Sequence, residues 1–237
     1  MSLTPLAPSR TDAQQHPRNF TTWSPRAAAI VAGIGLAIMA VLAASANFGA
    51  IVPLIARGDA EQTAQNISGA PLLFLAGIVS FFIVALLDII VAGAMYTLFK
   101  PVSRRVSAAA AWMRAVYAVL LVVATSQLVI GFSLLGDPEA ALPVLESFNT
   151  IWVISQGLFG ISLLLVGYLA FGSGFSPKVL GILLAIAGIG YLADAVGMAF
   201  IPGFSAVFAQ FMFVGEVVII FWLLIKGRRL PANLDLP

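Results

Sequence analysis

Four ionisable side chains lie inside long apolar stretches of this sequence, at Asp88, Arg114, Asp194 and Glu216. A charge is costly inside a membrane, so each of these residues is a candidate functional group. Carboxyl groups in apolar surroundings take up protons or bind cations, which is the chemistry of a proton relay or a cation-linked transporter. Because three acids accompany one arginine, two negative charges have no counter-charge within these stretches.

The spacing of these residues predicts which of them meet. Asp88 lies ten residues before the end of its stretch, Arg114 six residues into the next, and Glu216 nine before the end of the last. At a rise of about 1.5 Å per residue, the three share a layer roughly 10–15 Å deep on the cytoplasmic side, and Asp194 lies in the outer half. Asp88 and Arg114 either form a buried ion pair that fixes helix register, or Arg114 extends to the membrane interface.

Two uncharged residues complete the candidate site. Tyr191 lies three residues before Asp194 on the same helix face, where it could donate a hydrogen bond to that carboxylate; a role in packing or at the membrane interface is the favoured interpretation. Gln210 is an amide expected to bond across helices. The predicted intramembrane polar site comprises Asp88, Arg114, Tyr191, Asp194, Gln210 and Glu216. Its expected ligand is a proton, a monovalent cation or a lipid; no cofactor is predicted, and metal binding is left open.

The elements that position these residues are predicted to be membrane-spanning helices. Of the 237 residues, 61% are apolar and 9% are charged, against about 25% charged in a soluble domain. Six apolar runs have the length of about 20 residues that a span needs; they cover residues 27–46, 72–98, 108–132, 150–171, 179–200 and 205–225. Backbone groups in lipid must pair internally, so each run is a helix, and short loops make neighbouring helices antiparallel.

The fold class is therefore all-α: a polytopic membrane protein with a compact bundle of six transmembrane helices. Residues 1–26 form a flexible cytoplasmic tail, 27–225 the transmembrane domain and 226–237 a cytoplasmic tail. In this arrangement ten of the twelve Lys and Arg residues lie on one side, which makes both termini cytoplasmic. A cleaved signal peptide ending at 44–46 is the competing interpretation, and the long polar segment before the first run argues against it.

The outer loops carry their own signals. Asp59 is expected to cap a short helix that includes Asn66, and Pro53 to bend the end of the first long helix. Residues 138–148 are amphipathic and are predicted to lie on the outer membrane interface.

Absences argue against several classes of protein. The chain has no cysteine, and its one histidine, His16, lies in the polar tail. Disulfides, thiolate metal sites and Ser–His proteolysis are therefore excluded. No glycine-rich phosphate loop is present. An enzyme is the weaker class, and a nucleic-acid partner is not expected.

Seven short motifs resemble a membrane family of unknown function, the family known as domain of unknown function 4386. They are GDAEQTAQNI (58–67), YTLFKPV (96–102), RAV (114–116), PKVLG (177–181), GIGYLAD (188–194), GE (215–216) and WLLIKG (222–227). The resemblance covers about residues 26–229 and implies a six-helix protein of the bacterial inner membrane. It implies no activity. It places an outer-loop motif at Asp59 and Asn66 and brings Arg114, Tyr191, Asp194 and Glu216 into recognisable motifs.

Two function classes follow. The first is a small proton- or cation-linked transporter or channel-like protein that uses the intramembrane carboxyl groups. The alternative is a non-catalytic membrane subunit that binds a lipid, a pigment or partner helices. The lipid bilayer is a partner in both, and a second copy of the chain or another membrane protein is a further candidate partner.

Overall fold

The computed structural model describes residues 23–230, without the side chain of Gln210. The predicted tails therefore lie mostly outside the described residues, which exclude 1–22 and 231–237.

The described part of the chain folds into helices. Their bounds are α1 (Pro25–Leu54), α2 (Ala60–Gly69), α3 (Pro71–Phe99), α4 (Arg104–Ser133), α5 (Pro138–Gly172), α6 (Lys178–Phe200), α7 (Phe208–Met212) and α8 (Val214–Ile225), followed by a 3₁₀ turn at Gly227–Arg229. Five of them, α1, α3, α4, α5 and α6, are long and apolar enough to cross a membrane. The all-α prediction is confirmed, and these five helices match the first five predicted runs.

The sixth predicted run is divided. Its residues begin with irregular backbone and continue as α7 and α8, which meet at Phe213. The turn after α6 explains the late start. Gly203 adopts a left-handed conformation (φ 75°), which favours glycine, and the ring of Phe204 lies where a Cβ on Gly197 would stand. The loop is thereby folded back against α6 before α7 begins.

A π-helical turn at Asn47–Ile51 interrupts α1 near its end. Its cause is Pro53, because proline has no N–H and its ring clashes with the carbonyl four residues earlier. The wider turn lets the N–H of Val52 reach the oxygen of Asn47. The predicted distortion by Pro53 is therefore present as a π turn.

The prediction that residues 138–148 lie on the membrane interface is wrong. These residues form the first turns of α5, with Asp137 as the N-cap and Pro138 at the first position, where a missing N–H does no harm. Leu145 and Phe148 are buried in the core and do not face lipid. Leu145 and Phe148 thus pack inside the bundle, whereas Glu139 is exposed.

The long helices form a closed ring in chain order. Neighbouring pairs are α1 with α3, α3 with α4, α4 with α5, α5 with α6, α6 with α8, and α8 with α1. Gly227 packs against the Cβ of Ala29, so the start of α1 and the end of α8 lie at the same end of the bundle. We call this the inner end; α2 lies at the opposite, outer end. These six helices surround a shared core. The side chains of Asp88, Arg114 and Asp194 are buried within it.

Candidate functional site

Asp88 and Arg114 form a buried ion pair between α3 and α4. The guanidinium Nε donates to Asp88 Oδ1 at 2.7 Å, and the two residues are 0% and 4% exposed. The ion-pair interpretation of the sequence therefore describes the structure, and Arg114 does not extend to the interface. This is the one salt bridge found within residues 23–230.

The pair is not fully satisfied. Asp88 Oδ2 and Arg114 Nη2 are buried and make no hydrogen bond in the described residues. The guanidinium lies 4.8 Å from the ring centre of Phe159, a cation–π contact that stabilises the charge without using its N–H groups. A cavity of about 10 Å³, lined by Arg114, Ser107 and Ser162 among others, is about the size of one water molecule. A single water is therefore a suitable partner for the free guanidinium N–H.

Glu216 meets a tyrosine. The hydroxyl of Tyr191 on α6 donates to Glu216 Oε1 on α8 at 2.7 Å, and both residues are half-buried. The alternative in which Tyr191 donates to Asp194 is wrong, because Tyr191 contacts α8 whereas Asp194 accepts from the backbone at the start of α7. Glu216 has no positively charged partner in the part of the chain that the structure describes.

Aromatic rings connect the two polar pairs. The ring of Phe159 lies 5.2 Å from Tyr191 edge-on, and 5.2 Å from Tyr117. Trp152 Nε1 donates to the Tyr117 hydroxyl at 3.2 Å. Phe159 thus contacts both Arg114 and the partner of Glu216. Sequence reasoning missed Trp152 and Phe159, since an aromatic residue within an apolar run gives no signal of which polar group it contacts.

Asp194 has a separate role at the start of α7. Its Oδ1 accepts from the backbone N–H groups of Val207 and Phe208 at 2.9 and 3.1 Å, and its Oδ2 from Ala209 at 2.8 Å. The first N–H groups of a helix have no partner within the helix, and inside a bilayer water does not supply one. Asp194 is 1% exposed and supplies these acceptors from α6. It therefore lies apart from Tyr191 and Glu216 in its contacts.

The remaining predicted residues lie elsewhere. Gln210 belongs to α7, and its side chain is outside the described part of the structure. Asp59 caps α2 by accepting from Gln62 N at 2.9 Å, as predicted. Asn66 accepts from the Gln62 side chain at 2.7 Å and donates to the oxygen of Leu54. The outer-loop motif therefore caps α2 and holds it against the end of α1.

A larger cavity opens at the outer end of the bundle. Its volume is about 320 Å³, and it is lined by the π turn of α1, the loop after α1, the first turns of α5, and Met198 and Phe204. Its polar lining residues are Asn47, Arg57, Glu146, Asn149 and Thr150. Of the six predicted site residues, the five whose side chains the structure describes do not line it. Within residues 23–230, no cluster of three or more acidic, His or Cys side chains is placed to hold a metal ion.

The helix ring and the buried charges define the class of this chain: it is a multi-pass α-helical membrane protein. It belongs to the family described as Domain of unknown function (DUF4386), which matches residues 31–227. An uncharacterized protein of Archaeoglobus fulgidus is 35% identical over 160 residues, covering 68% of this chain and 89% of that relative. No solved structure matches the chain.

The family resemblance predicted from the motifs is therefore confirmed. Neither the family description nor the archaeal relative names an activity. The predicted bacterial source stays a prediction, and so does the interpretation of an enzyme as the weaker class.

Proposed function

We propose that this protein is a proton- or cation-linked transport or channel-like protein, in which Glu216 takes up the proton or monovalent cation. The observation that carries the proposal is the missing counter-charge. Asp88 has Arg114, and Asp194 has three backbone N–H donors. Glu216 has a neutral hydroxyl. A carboxyl group that lies in an apolar medium without a positive charge beside it acquires a proton or a cation.

The contacts around Glu216 connect proton or cation uptake at this residue to the ion pair on α3 and α4. Tyr191 holds Glu216 and contacts Phe159, and Phe159 contacts Arg114. In a medium of low dielectric constant, a change of charge at Glu216 acts strongly on the nearby ion pair. The unpaired atoms Asp88 Oδ2 and Arg114 Nη2 leave that pair able to exchange partners as Glu216 changes its charge.

The proposal includes six membrane crossings with both termini on the cytoplasmic side of a bacterial plasma membrane. Residues 208–225, which form α7 and α8, extend about 27 Å at 1.5 Å per residue, close to the thickness of about 30 Å of the hydrocarbon layer. The contact of Gly227 with Ala29 supports this topology. So does the distribution of Lys and Arg, which favours the inner end as cytoplasmic.

Ion flux into proteoliposomes tests the proposal. Vesicles containing the full chain and a trapped pH dye are given a membrane potential with potassium and valinomycin. Wild-type protein is expected to acidify the lumen faster than empty vesicles, and Glu216→Gln to remove the difference. Glu139→Gln is the matched control, since Glu139 is an exposed acid in the first turn of α5. Its flux should equal that of wild type.

A parallel set of vesicles carries a sodium or potassium gradient and a matching cation dye. The proposal is wrong if wild-type protein moves neither protons nor these cations, or if Glu216→Gln moves them as fast as wild type. Infrared titration of the reconstituted protein gives a readout without transport. The band of a protonated carboxyl should be weaker in Glu216→Gln than in Glu139→Gln.

A second candidate function is a non-catalytic subunit that holds a lipid or a partner helix. The outer cavity favours it, because four polar lining side chains have no partner among residues 23–230 and because the cavity is separate from the intramembrane charges. Native mass spectrometry after mild extraction distinguishes the two. A lipid or protein retained in fixed stoichiometry by a chain that moves no ions in the flux experiment supports the second candidate, and a bare monomer counts against it.

A further inference from the structure

The outer cavity has the composition of a ligand site. Its volume of about 320 Å³ lies at the lower end of the range for small-molecule sites, which are mostly apolar with a few well-placed polar groups. The apolar lining comes from Ile51, Val52, Ile55, Leu145, Phe148, Met198 and Phe204. The polar lining contains one cation, Arg57, and one anion, Glu146.

Most of the polar groups are free to bind a ligand. The side chains of Asn47, Arg57, Asn149 and Thr150 make no hydrogen bond or ion pair to another residue of the described chain. Glu146 uses one oxygen, Oε1, to accept from the backbone N–H of Gly58 at 2.9 Å. Its bond to Gly58 fixes the carboxylate at the cavity and leaves Oε2 for a donor. The cavity therefore offers a fixed acceptor, a free guanidinium and two free amides.

The π turn explains how α1 contributes to the lining of this cavity. A π turn adds one residue to a helical turn and is frequent at functional sites. Here it lies at Asn47–Ile51 and contributes both Asn47 and Ile51 to the lining. Because Pro53 imposes the turn, the cavity is a built feature of the sequence and does not depend on a chance gap between loops.

We propose that this cavity binds the headgroup of a zwitterionic phospholipid that carries a primary ammonium, such as phosphatidylethanolamine. Arg57 pairs with the phosphate, which guanidinium groups bind in a bidentate geometry. Glu146 Oε2 accepts an N–H bond from the ammonium. Asn47 and Asn149 donate to the remaining phosphate and ester oxygens. This inference goes beyond ion uptake at Glu216 and does not depend on it.

Charge and position select this ligand. The one cation and one anion of the lining cancel, so a net-neutral headgroup fits better than an anionic one. A choline headgroup has no N–H to donate to Glu146. The cavity is lined by residues near the ends of α1 and α6, which a six-crossing arrangement would bring to the level of headgroups, and it is too small for a whole lipid. The acyl chains of the lipid would extend over exposed apolar side chains of α1, among them Phe48 and Val52.

Competitive lipid retention measures the proposal. The purified full chain in mild detergent is mixed with equimolar palmitoyl-oleoyl phosphatidylethanolamine, phosphatidylcholine and phosphatidylglycerol, and bound lipid is counted by native mass spectrometry. Wild-type protein should retain the ethanolamine lipid about tenfold over the choline lipid, as expected for one charge-assisted hydrogen bond. Glu146→Gln should make the two equal, since glutamine keeps the acceptor for Gly58 but not the charge.

Other variants and probes complete the experiment. Arg57→Gln and Asn149→Leu should lower the retention of both lipids, and Glu139→Gln, outside the cavity, should change neither. Asn149→Leu does not touch the Gly58 bond, so it serves as the test if Glu146→Gln fails to fold. Free O-phosphoethanolamine at the lipid concentration should not displace the lipid, because it lacks the apolar part.

Equal retention of the three lipids by wild-type protein would overturn the assignment. So would an unchanged preference in Glu146→Gln, or displacement by the free headgroup. The result is independent of the flux experiment. Lipid preference can be lost while Glu216 still takes up protons, and Glu216→Gln should leave the lipid preference as it is.

Discussion

Arg114 is held between a carboxylate on one side and an aromatic ring on the other, and each contact does something different. Asp88 neutralises its charge through Nε, and Phe159 covers the face of the guanidinium. Since both Asp88 and Arg114 are nearly fully buried, each charge would be costly without the other. The pair is therefore a unit, and its members respond to substitution together.

Removing one member of the pair should be worse than removing both. Asp88→Asn leaves the buried Arg114 without a counter-charge, and we expect it to lower the free energy of unfolding by about 3–5 kcal/mol. The double variant Asp88→Leu with Arg114→Met replaces the pair by apolar side chains and should recover most of this loss. Urea unfolding in detergent, followed by tryptophan fluorescence, measures both. A double variant that is no more stable than Asp88→Asn contradicts the expectation.

Asp194→Asn should loosen the start of α7 without unfolding the bundle. The asparagine NH₂ replaces one of the two oxygens, so at least one of the three backbone N–H donors at 207–209 loses its acceptor. Hydrogen exchange read by mass spectrometry should become faster in a peptide that covers these residues. Asp59→Asn is the matched control, because Asp59 accepts a single cap bond at Gln62. Unchanged exchange at 207–209 would show that Asp194 is not their acceptor.

At the scale of elements, α5 and α6 approach each other through two pairs of glycines. A Cβ built on Gly160 would lie 2.7 Å from the oxygen of Gly188, and one on Gly167 2.7 Å from the oxygen of Gly181. The pairs are seven residues apart on both helices, which is two turns. Small residues at this spacing bring helix backbones into contact. Gly181 thus packs against α5 within the chain.

Gly160→Ala should therefore destabilise the protein. The new Cβ has no room beside the Gly188 oxygen, so the two helices must separate, and we expect a loss of about 1–3 kcal/mol. Gly93→Ala is the control on α3, since nothing lies within 4 Å of a Cβ there. That variant should be neutral or slightly stabilising, because alanine favours helix over glycine. Thermal unfolding in detergent compares them, and equal melting temperatures would contradict the close packing.

The sequence predicts some elements well and others poorly, for a physical reason. Hydropathy alone locates the five long helices, because a bilayer requires an apolar run to be helical. It does not reveal that residues 205–225 are divided, since that depends on a loop folded back against α6 and on Asp194 as a distant acceptor. Likewise the pairing of Asp88 with Arg114 follows from depth, whereas the partner of Tyr191 depends on which neighbour its helix face meets.

At the scale of the whole molecule, the closed ring depends on its last element. Among the described helices, α8 is the one that packs extensively against both α1 and α6. The contact with α1 is close, because a Cβ on Gly33 would lie 2.8 Å from the side chain of Leu224. Without α8 the faces of α1 and α6 would be open to lipid. Glu216 lies on this closing helix. The carboxyl group that has no counter-charge is therefore also the one placed to affect how α8 packs against α1 and α6.

Cysteine labelling that locates residue 233 on one side of the membrane tests whether α7 and α8 form a sixth crossing. The chain has no cysteine, so single cysteines can be labelled without background, at Pro101→Cys in the loop after α3, Gly136→Cys in the loop after α4, and Asn233→Cys near the C-terminus. With six crossings, a membrane-impermeant maleimide applied to intact cells should label Gly136→Cys alone. The other two should react only after the membrane is opened. If Asn233→Cys is labelled in intact cells together with Gly136→Cys, the chain crosses five times and α8 returns to the outer side. The contact of Gly227 with Ala29 leads us to expect the first result, because it keeps the end of α8 beside the start of α1.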